Sequence, residues 1–134
     1  MAKQGGLGMV CNVDDSGGNV QNISNDITNL SFQTPRGVQD VTGINSSAME
    51  RLLLLADFSI SLNGVFNTAT NLSHDVFKTV PSTSVARTVT ITHASKTLPN
   101  ETMFTDYQLT RPASGELTWQ APGVLNSTTV PTWA

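Results

Sequence analysis

Residues 40–67 read Asp40-Val-Thr-Gly-Ile-Asn-Ser-Ser-Ala-Met-Glu50-Arg-Leu-Leu-Leu-Leu-Ala-Asp-Phe-Ser-Ile60-Ser-Leu-Asn-Gly-Val-Phe-Asn67. Two signals of opposite period stand back to back in them. Ser47 and Glu50 have the spacing of a capping box, in which each side chain satisfies a backbone N–H that a helix start leaves unpaired. The run 48–56 that follows is almost entirely good helix formers, and it predicts a short flanking helix with Leu52 and Leu55 turned to the core. From Asp57 the period changes to two. Phe58, Ile60, Leu62 and Phe66 fall on one side and Ser59, Ser61 and Asn63 on the other, which predicts a strand with one buried and one polar face.

Working outward, residues 1–8 are polar and Gly-rich and read as an N-terminal arm. Residues 9–13 are a strand candidate, 14–19 a turn, and 20–23 a return that would close a hairpin. Residues 27–32 form a further strand, broken at Thr34-Pro35-Arg36-Gly37, and 38–42 an extended piece. Beyond residue 67 a polar loop leads to Ser73, which can cap a second short helix over 74–79 with Val76, Phe77 and Val80 as packing residues; Pro81 ends it. Residues 85–93 alternate cleanly, with Val89 and Ile91 on the inner face. Residues 95–102 read as a loop through Pro99. Residues 103–110 alternate again, placing Met103, Tyr107 and Leu109 inside, and 116–121 place Leu117 and Trp119 inside. Residues 122–134 read as a C-terminal arm. The expected core is therefore Leu52, Leu55, Phe58, Ile60, Leu62, Phe66, Phe77, Val89, Ile91, Tyr107, Leu109, Leu117 and Trp119. The expected fold is mainly β: one domain over 1–134, an antiparallel β-sandwich over 9–121 with a short flanking α-helix at 48–56.

A chain of 134 residues has room for one domain with a modest core. Its charged fraction, 13%, is about half the usual share, and Ser, Thr and Asn make up about a third of the residues. Hydroxyls and amides cost less to bury than ions. Such a surface suits an exterior covered by partners, with a compositional habit of the source genome as the plainer explanation. Ten acidic and seven basic residues leave a net charge of -3, with no basic run. That argues against tight nucleic-acid binding, which needs clustered Lys and Arg. Cys11 is the only cysteine, so neither an internal disulfide nor a cysteine metal cage can form. The start has no apolar segment typical of a signal peptide, and the longest apolar run, 52–56, is too short to span a membrane. Few Lys or Pro residues guard the edge strands, which points to strand pairing between copies.

The chemistry-bearing motifs are weak. Gly5-Gly6-Leu7-Gly8 precedes a strand, lacks the required lysine and has no helix after it, so it is an arm and not a phosphate cradle. Asp14-Asp15-Ser16-Gly17-Gly18-Asn19 offers oxygen ligands without the spacing or closing Glu of a calcium loop, and reads as a turn. His74 and His93 show no ligand spacing. No Gly-x-Ser-x-Gly elbow marks a nucleophile, and Asp106 and Glu116 read as solvated outer-face residues rather than a glycosidase pair. No catalytic residue, cofactor or metal site is expected. Trp133, in a polar tail, needs a surface to cover it, either a neighbouring subunit or its own domain.

The order of the pieces resembles the major tail tube proteins of long-tailed, siphovirus-like bacteriophages, of the short single-domain kind. The resemblance rests on Asp40-Val-Thr-Gly-Ile44, Glu50-Arg-Leu52, Asp57-Phe-Ser-Ile-Ser-Leu-Asn-Gly-Val-Phe66, His74-Asp-Val-Phe77, Arg87-Thr-Val-Thr-Ile91 and Gly115-Glu-Leu-Thr-Trp119. It implies a homo-oligomeric ring, hexameric in the family, with an inner β-barrel. Stacked rings would form a tube in the virion tail, assembled in the host cytoplasm beside other tail proteins. Double-stranded DNA would pass through the lumen without specific binding, and no membrane would be involved. It also implies inter-subunit contacts from the arms, for which Leu7, Met9, Val124, Leu125 and Trp133 are the candidates. Rival readings are a capsid decoration or head–tail joining protein, and a carbohydrate-binding β-sandwich module.

Overall fold

Strands are the main regular element of the chain, and most of them send alternate side chains inward and outward. The computed structural model describes residues 3–134; Met1 and Ala2, the start of the expected arm, lie outside the described residues. In order come β1 (Val10–Asp14), β2 (Val20–Asn22), one 3-10 turn (Ser24–Asp26), β3 (Ile27–Gln33), β4 (Arg36–Asp40), β5 (Arg51–Ala56), β6 (Ser59–Val65), α1 (Ser73–Phe77), β7 (Arg87–His93), β8 (Lys96–Phe104), β9 (Gln108–Thr110) and β10 (Thr118–Leu125). The expected class, mainly antiparallel β with one short helix, is the one observed.

Eight strands form one antiparallel sheet in the order β2-β1-β7-β8-β10-β6-β3, with β9 also on β10. The sheet turns over at β10. One edge of β10 pairs with β6 from Thr118 to Val124, while its other edge is divided between β9 at Thr118–Gln120 and β8 at Gly123–Leu125. Cys11, Val13, Val89, Ile91 and Leu98 from the β1-β7-β8 half thereby meet Ile60, Leu62, Trp119 and Ala121 from the other half in one buried cluster, with Phe58 joining them from just ahead of β6. Helix α1 adds Val76 and Phe77, whose ring lies 5.1 Å from those of Phe104 and Trp119. Gly64 lets the layers close: a Cβ there would sit 2.1 Å from the Asp26 carbonyl oxygen and 2.6 Å from the Trp119 ring.

Two buried polar side chains brace this core. Asp26 accepts the Ser73 backbone N–H at 3.0 Å and the Asn67 side-chain amide at 2.9 Å. Its carboxylate thus takes the place expected of a Ser73 hydroxyl cap; the N-cap is Leu72, with no side-chain cap bond. Arg87 is buried on the inner face of β7 and donates to the carbonyls of Asp14 and Val76 and to the Thr79 hydroxyl, tying α1 and the turn after it to β1.

Several expectations are corrected. Residues 48–56 are not a helix. They run from the end of a loop into β5, because pairing with β4 from Arg36↔Ala56 to Asp40↔Arg51 outweighs the helix propensity of so short a run. The Ser47–Glu50 capping box does not form; the Glu50 N–H donates to the Thr42 hydroxyl instead. Leu52 and Leu55 are consequently exposed and not core. Residues 95–102 are not a loop but most of β8, which carries Pro99 on its outer face. Met103 therefore points out while Thr102 and Phe104 point in, and Leu109, on the short β9, is also exposed. Phe58, Ile60, Leu62, Phe77, Val89, Ile91 and Trp119 are buried, whereas Phe66, Tyr107 and Leu117 are half-buried. Residues 122–125 belong to β10, so the C-terminal arm starts later than expected.

Candidate assembly surfaces

The β3–β6 pair does not end where the core ends. Gln33 pairs with Ser59, the Asp57 N–H donates to the Pro35 carbonyl, and Arg36 pairs with Ala56. One long hairpin thus leaves the core and continues as β4–β5, an arm on which all but one residue is exposed. The Arg36 guanidinium holds its base, donating twice to the Leu54 carbonyl at 2.9 and 3.0 Å. At the tip the Thr42 hydroxyl donates to Asp40 and accepts from the Glu50 N–H at 2.8 Å, and the Val41 N–H donates to the Glu50 carbonyl. Those bonds to Thr42 hold the Asp40 carboxyl below its usual range.

Successive side chains of a strand point to opposite faces, so Leu52-Leu53-Leu54-Leu55 makes both faces of the arm apolar. Leu55 is 90% exposed, Leu53 lies across from Val38, and Leu54 lies over Gly37. Ile44 and Met49 extend the apolar surface into the tip. A strand apolar on both sides is the pattern of one covered on both sides, and among the described residues all four leucines of this one remain exposed.

Two further surfaces are open. Among the described residues β3 pairs only with β6, so its other edge carries unpaired backbone groups. Beside it runs a groove of about 550 Å³, lined by residues 6–9 and by Cys11, Ser24, Ile27 and Leu30. Leu7 and Met9 are exposed there, while the His93 Nε2 lies within hydrogen-bond distance of the Gly5 carbonyl. Burial pushes the Cys11 thiol up to about 12, so it stays protonated and inert at neutral pH.

The C-terminal segment lies on its own domain. The Asn126 N–H donates to the Glu101 carbonyl, and the Ala134 and Thr97 backbones exchange two hydrogen bonds at 2.9 and 3.0 Å. Trp133 sits 6.0 Å from Phe32 yet remains half exposed; Leu125 packs against the core and Val124 is exposed on β10. The sequence did not single out the leucine arm, although its unbroken apolar run was the available signal.

The titratable groups do not converge. Among the described residues no three of His, Cys, Asp and Glu group as metal ligands, and no helix is long and apolar enough to cross a membrane. His74 Nδ1 faces the Tyr107 hydroxyl at 3.3 Å within an aromatic cluster. His93 lies apart, at the β7–β8 turn. The Asp14–Asn19 turn closes on itself, as Asp15 accepts the Gly17 and Asn19 N–H groups at 2.9 and 3.0 Å.

No protein-family model matches the chain, and no curated protein matches it. Among solved structures it is similar to a chain of the virion of a native gene transfer agent particle, with a TM-score of 0.77 and 17% identity over 97% of this chain and 99% of that one. It is also similar to a chain of the tail of an empty gene transfer agent particle, computed with helical refinement and C6 symmetry. There the TM-score is 0.73 and the identity 19%, with the same shares covered. At these identities the likeness is one of fold, and the chain has the β-rich fold of those particle chains along nearly its whole length.

Proposed function

We propose that this chain is the structural subunit of a phage-type tail tube, working as a ring of copies stacked into a hollow polymer. The observation that carries the reading is the β4–β5 arm, a stiff hairpin with leucines on both faces and no cover of its own. Fully burying one such leucine stabilises by about 1.5–3 kcal/mol, so the arm alone offers several kcal/mol to an assembly. The free β3 edge adds a place where one copy's sheet can continue into the next, and closure into a barrel would remove that edge. The C6 symmetry of the tail containing a chain of this fold supports six copies per ring.

In this reading the tube is part of a virion tail, built in the host cytoplasm against other tail proteins, and conducts double-stranded DNA into the host. It needs no catalytic group. Leu7 and Met9 beside the groove contact neighbouring copies, whereas Val124, on the same side of β10 as Gln120, faces away from them. Leu125 and Trp133 serve mainly to seat the C-terminal segment, with the exposed part of Trp133 left for a neighbour. Negative-stain microscopy and sedimentation of the purified chain test the proposal. Rings or tubes are the expected result; lone subunits at every concentration, or binding to glycans by a monomer, would overturn it.

A further inference from the structure

The outer face of the β3-β6-β10-β9 half differs in chemistry from the rest of the surface. None of the residues in these four strands is ionisable, whereas β1, β7 and β8 carry Asp14, Arg87, Lys96 and Glu101, and the arm carries Arg36, Asp40 and Arg51. The register also sorts this face by type. Asn29 pairs with Asn63, Asn63 with Gln120, and Gln120 with Gln108, so four amide side chains stand in one row across four strands. Beside it Ser31 pairs with Ser61. The opposite outer face has a different character. There Thr88 donates to Glu101, the Asp14 carboxyl stands near both, and residues 127 and 129 lie alongside Thr88, Pro99 and Glu101.

We propose that the amide face of β3-β6-β10-β9 is the wall of the tube's lumen, an uncharged surface past which double-stranded DNA slides. The inference rests on the tail-tube reading and deepens it. This half of the sheet ends in the seven-residue edge of β3 on one side and the short β9 on the other, whereas the other half ends in the three-residue β2. It is therefore the half with the longer edge for continuing from copy to copy around a ring. A wall with Lys or Arg would hold a polyanion by releasing its counterions, and one with clustered carboxylates would repel it. Amides and hydroxyls do neither, and they exchange hydrogen bonds with water as readily as with phosphate oxygens. Copied around a ring, the row Asn29-Asn63-Gln120-Gln108 becomes a continuous neutral belt.

The test is labelling of single cysteines in assembled tubes, with the wild type as blank because Cys11 is buried. Q120C should react with a small maleimide in tubes but lose all reaction with a polyethylene-glycol maleimide too bulky to enter. It should regain that reaction once subunits are dissociated. T90C, on the opposite face, should react with the bulky reagent in both states. Tubes in which Q120C takes the bulky reagent, or in which T90C is the protected site, overturn the wall assignment and leave the tail-tube reading standing. Absence of any tube overturns both. A second readout tests neutrality: wild-type tubes reassembled with DNA fragments should retain none, while N63K/Q120K tubes should retain DNA with log affinity falling against log salt by about 0.9 per phosphate neutralised. Salt-sensitive retention by the wild type would overturn the uncharged wall.

Discussion

Asp14 and Asp15 are neighbours whose carboxyls are pushed in opposite directions. Burial, with the Glu101 and Asp15 carboxylates adding to it, raises Asp14 above the ordinary aspartate value despite hydrogen bonding from Thr88. Asp15 is lowered, chiefly by the Asn19 N–H and also by the Gly17 N–H. A raised folded-state value means that the favourable contribution of Asp14 is complete below the unfolded value of about 3.9 and is lost as pH rises through the folded one. D14N should therefore melt higher than the wild type at pH 7 and show no advantage at pH 3. Equal midpoints at pH 7 would show that the charged form carries no penalty. Asp15 has the opposite sign: its contribution is present above about 3.9 and lost as pH falls through its depressed value. Cys11 gives a second expectation at this scale. Its buried, protonated thiol should resist a disulfide reagent in the native protein at pH 7 and react at the rate of global unfolding.

At the scale of elements, Gly64 on β6 shows how two layers are brought into contact. G64A must displace both the Asp26 backbone and the Trp119 ring, and Asp26 is itself pinned through Ser73 and Asn67. Overpacking of this kind costs about 1–3 kcal/mol, readable as a fall in the denaturation midpoint. An unchanged midpoint would mean that β3 and β6 can part freely. The strands legible in the sequence were those with clean alternation of apolar and polar residues, such as Phe58-Ser-Ile-Ser-Leu62 and Val89-Thr-Ile91. β8 was hidden for a physical reason. Its inward positions include Asn100 and Thr102, its outward ones include Pro99 and Met103, and so polarity no longer reports direction. β5 was hidden by the reverse problem, since four leucines in succession carry no period at all. Helix propensity filled that gap wrongly, because the partner strand that decides the matter lies on the far side of the loop 41–50. The brace at Asp26 could not be read either: its partners Asn67 and Ser73 lie 41 and 47 positions along the chain.

For the whole molecule, the tail-tube proposal makes the arm the place where folding and assembly can be separated. L53D and L54D place a charge on opposite faces of β5, where the isolated subunit leaves both faces open to water. Both variants should fold as soluble monomers with thermal midpoints near the wild type, and neither should form tubes. F58D places the same charge inside the core, where an unpaired carboxylate is not tolerated, and should not fold. Circular dichroism and sedimentation on the three proteins check this. Tubes from L54D but not L53D would mean that only one face of the arm is covered in the polymer. The fold class was legible from the alternation of apolar and polar residues. The arm itself was not, because four leucines in succession show neither a strand period nor which side is left open to water.

The leucine arm also sets a timing problem for the cell that makes this protein. An uncharged stretch of four leucines in an open two-stranded ribbon invites off-pathway clumping whenever newly made chains accumulate. If the chain builds a tube as proposed, yield of correct polymer should depend on how quickly each subunit finds a growing end, so that an early supply of initiating complexes matters more than the abundance of the subunit itself.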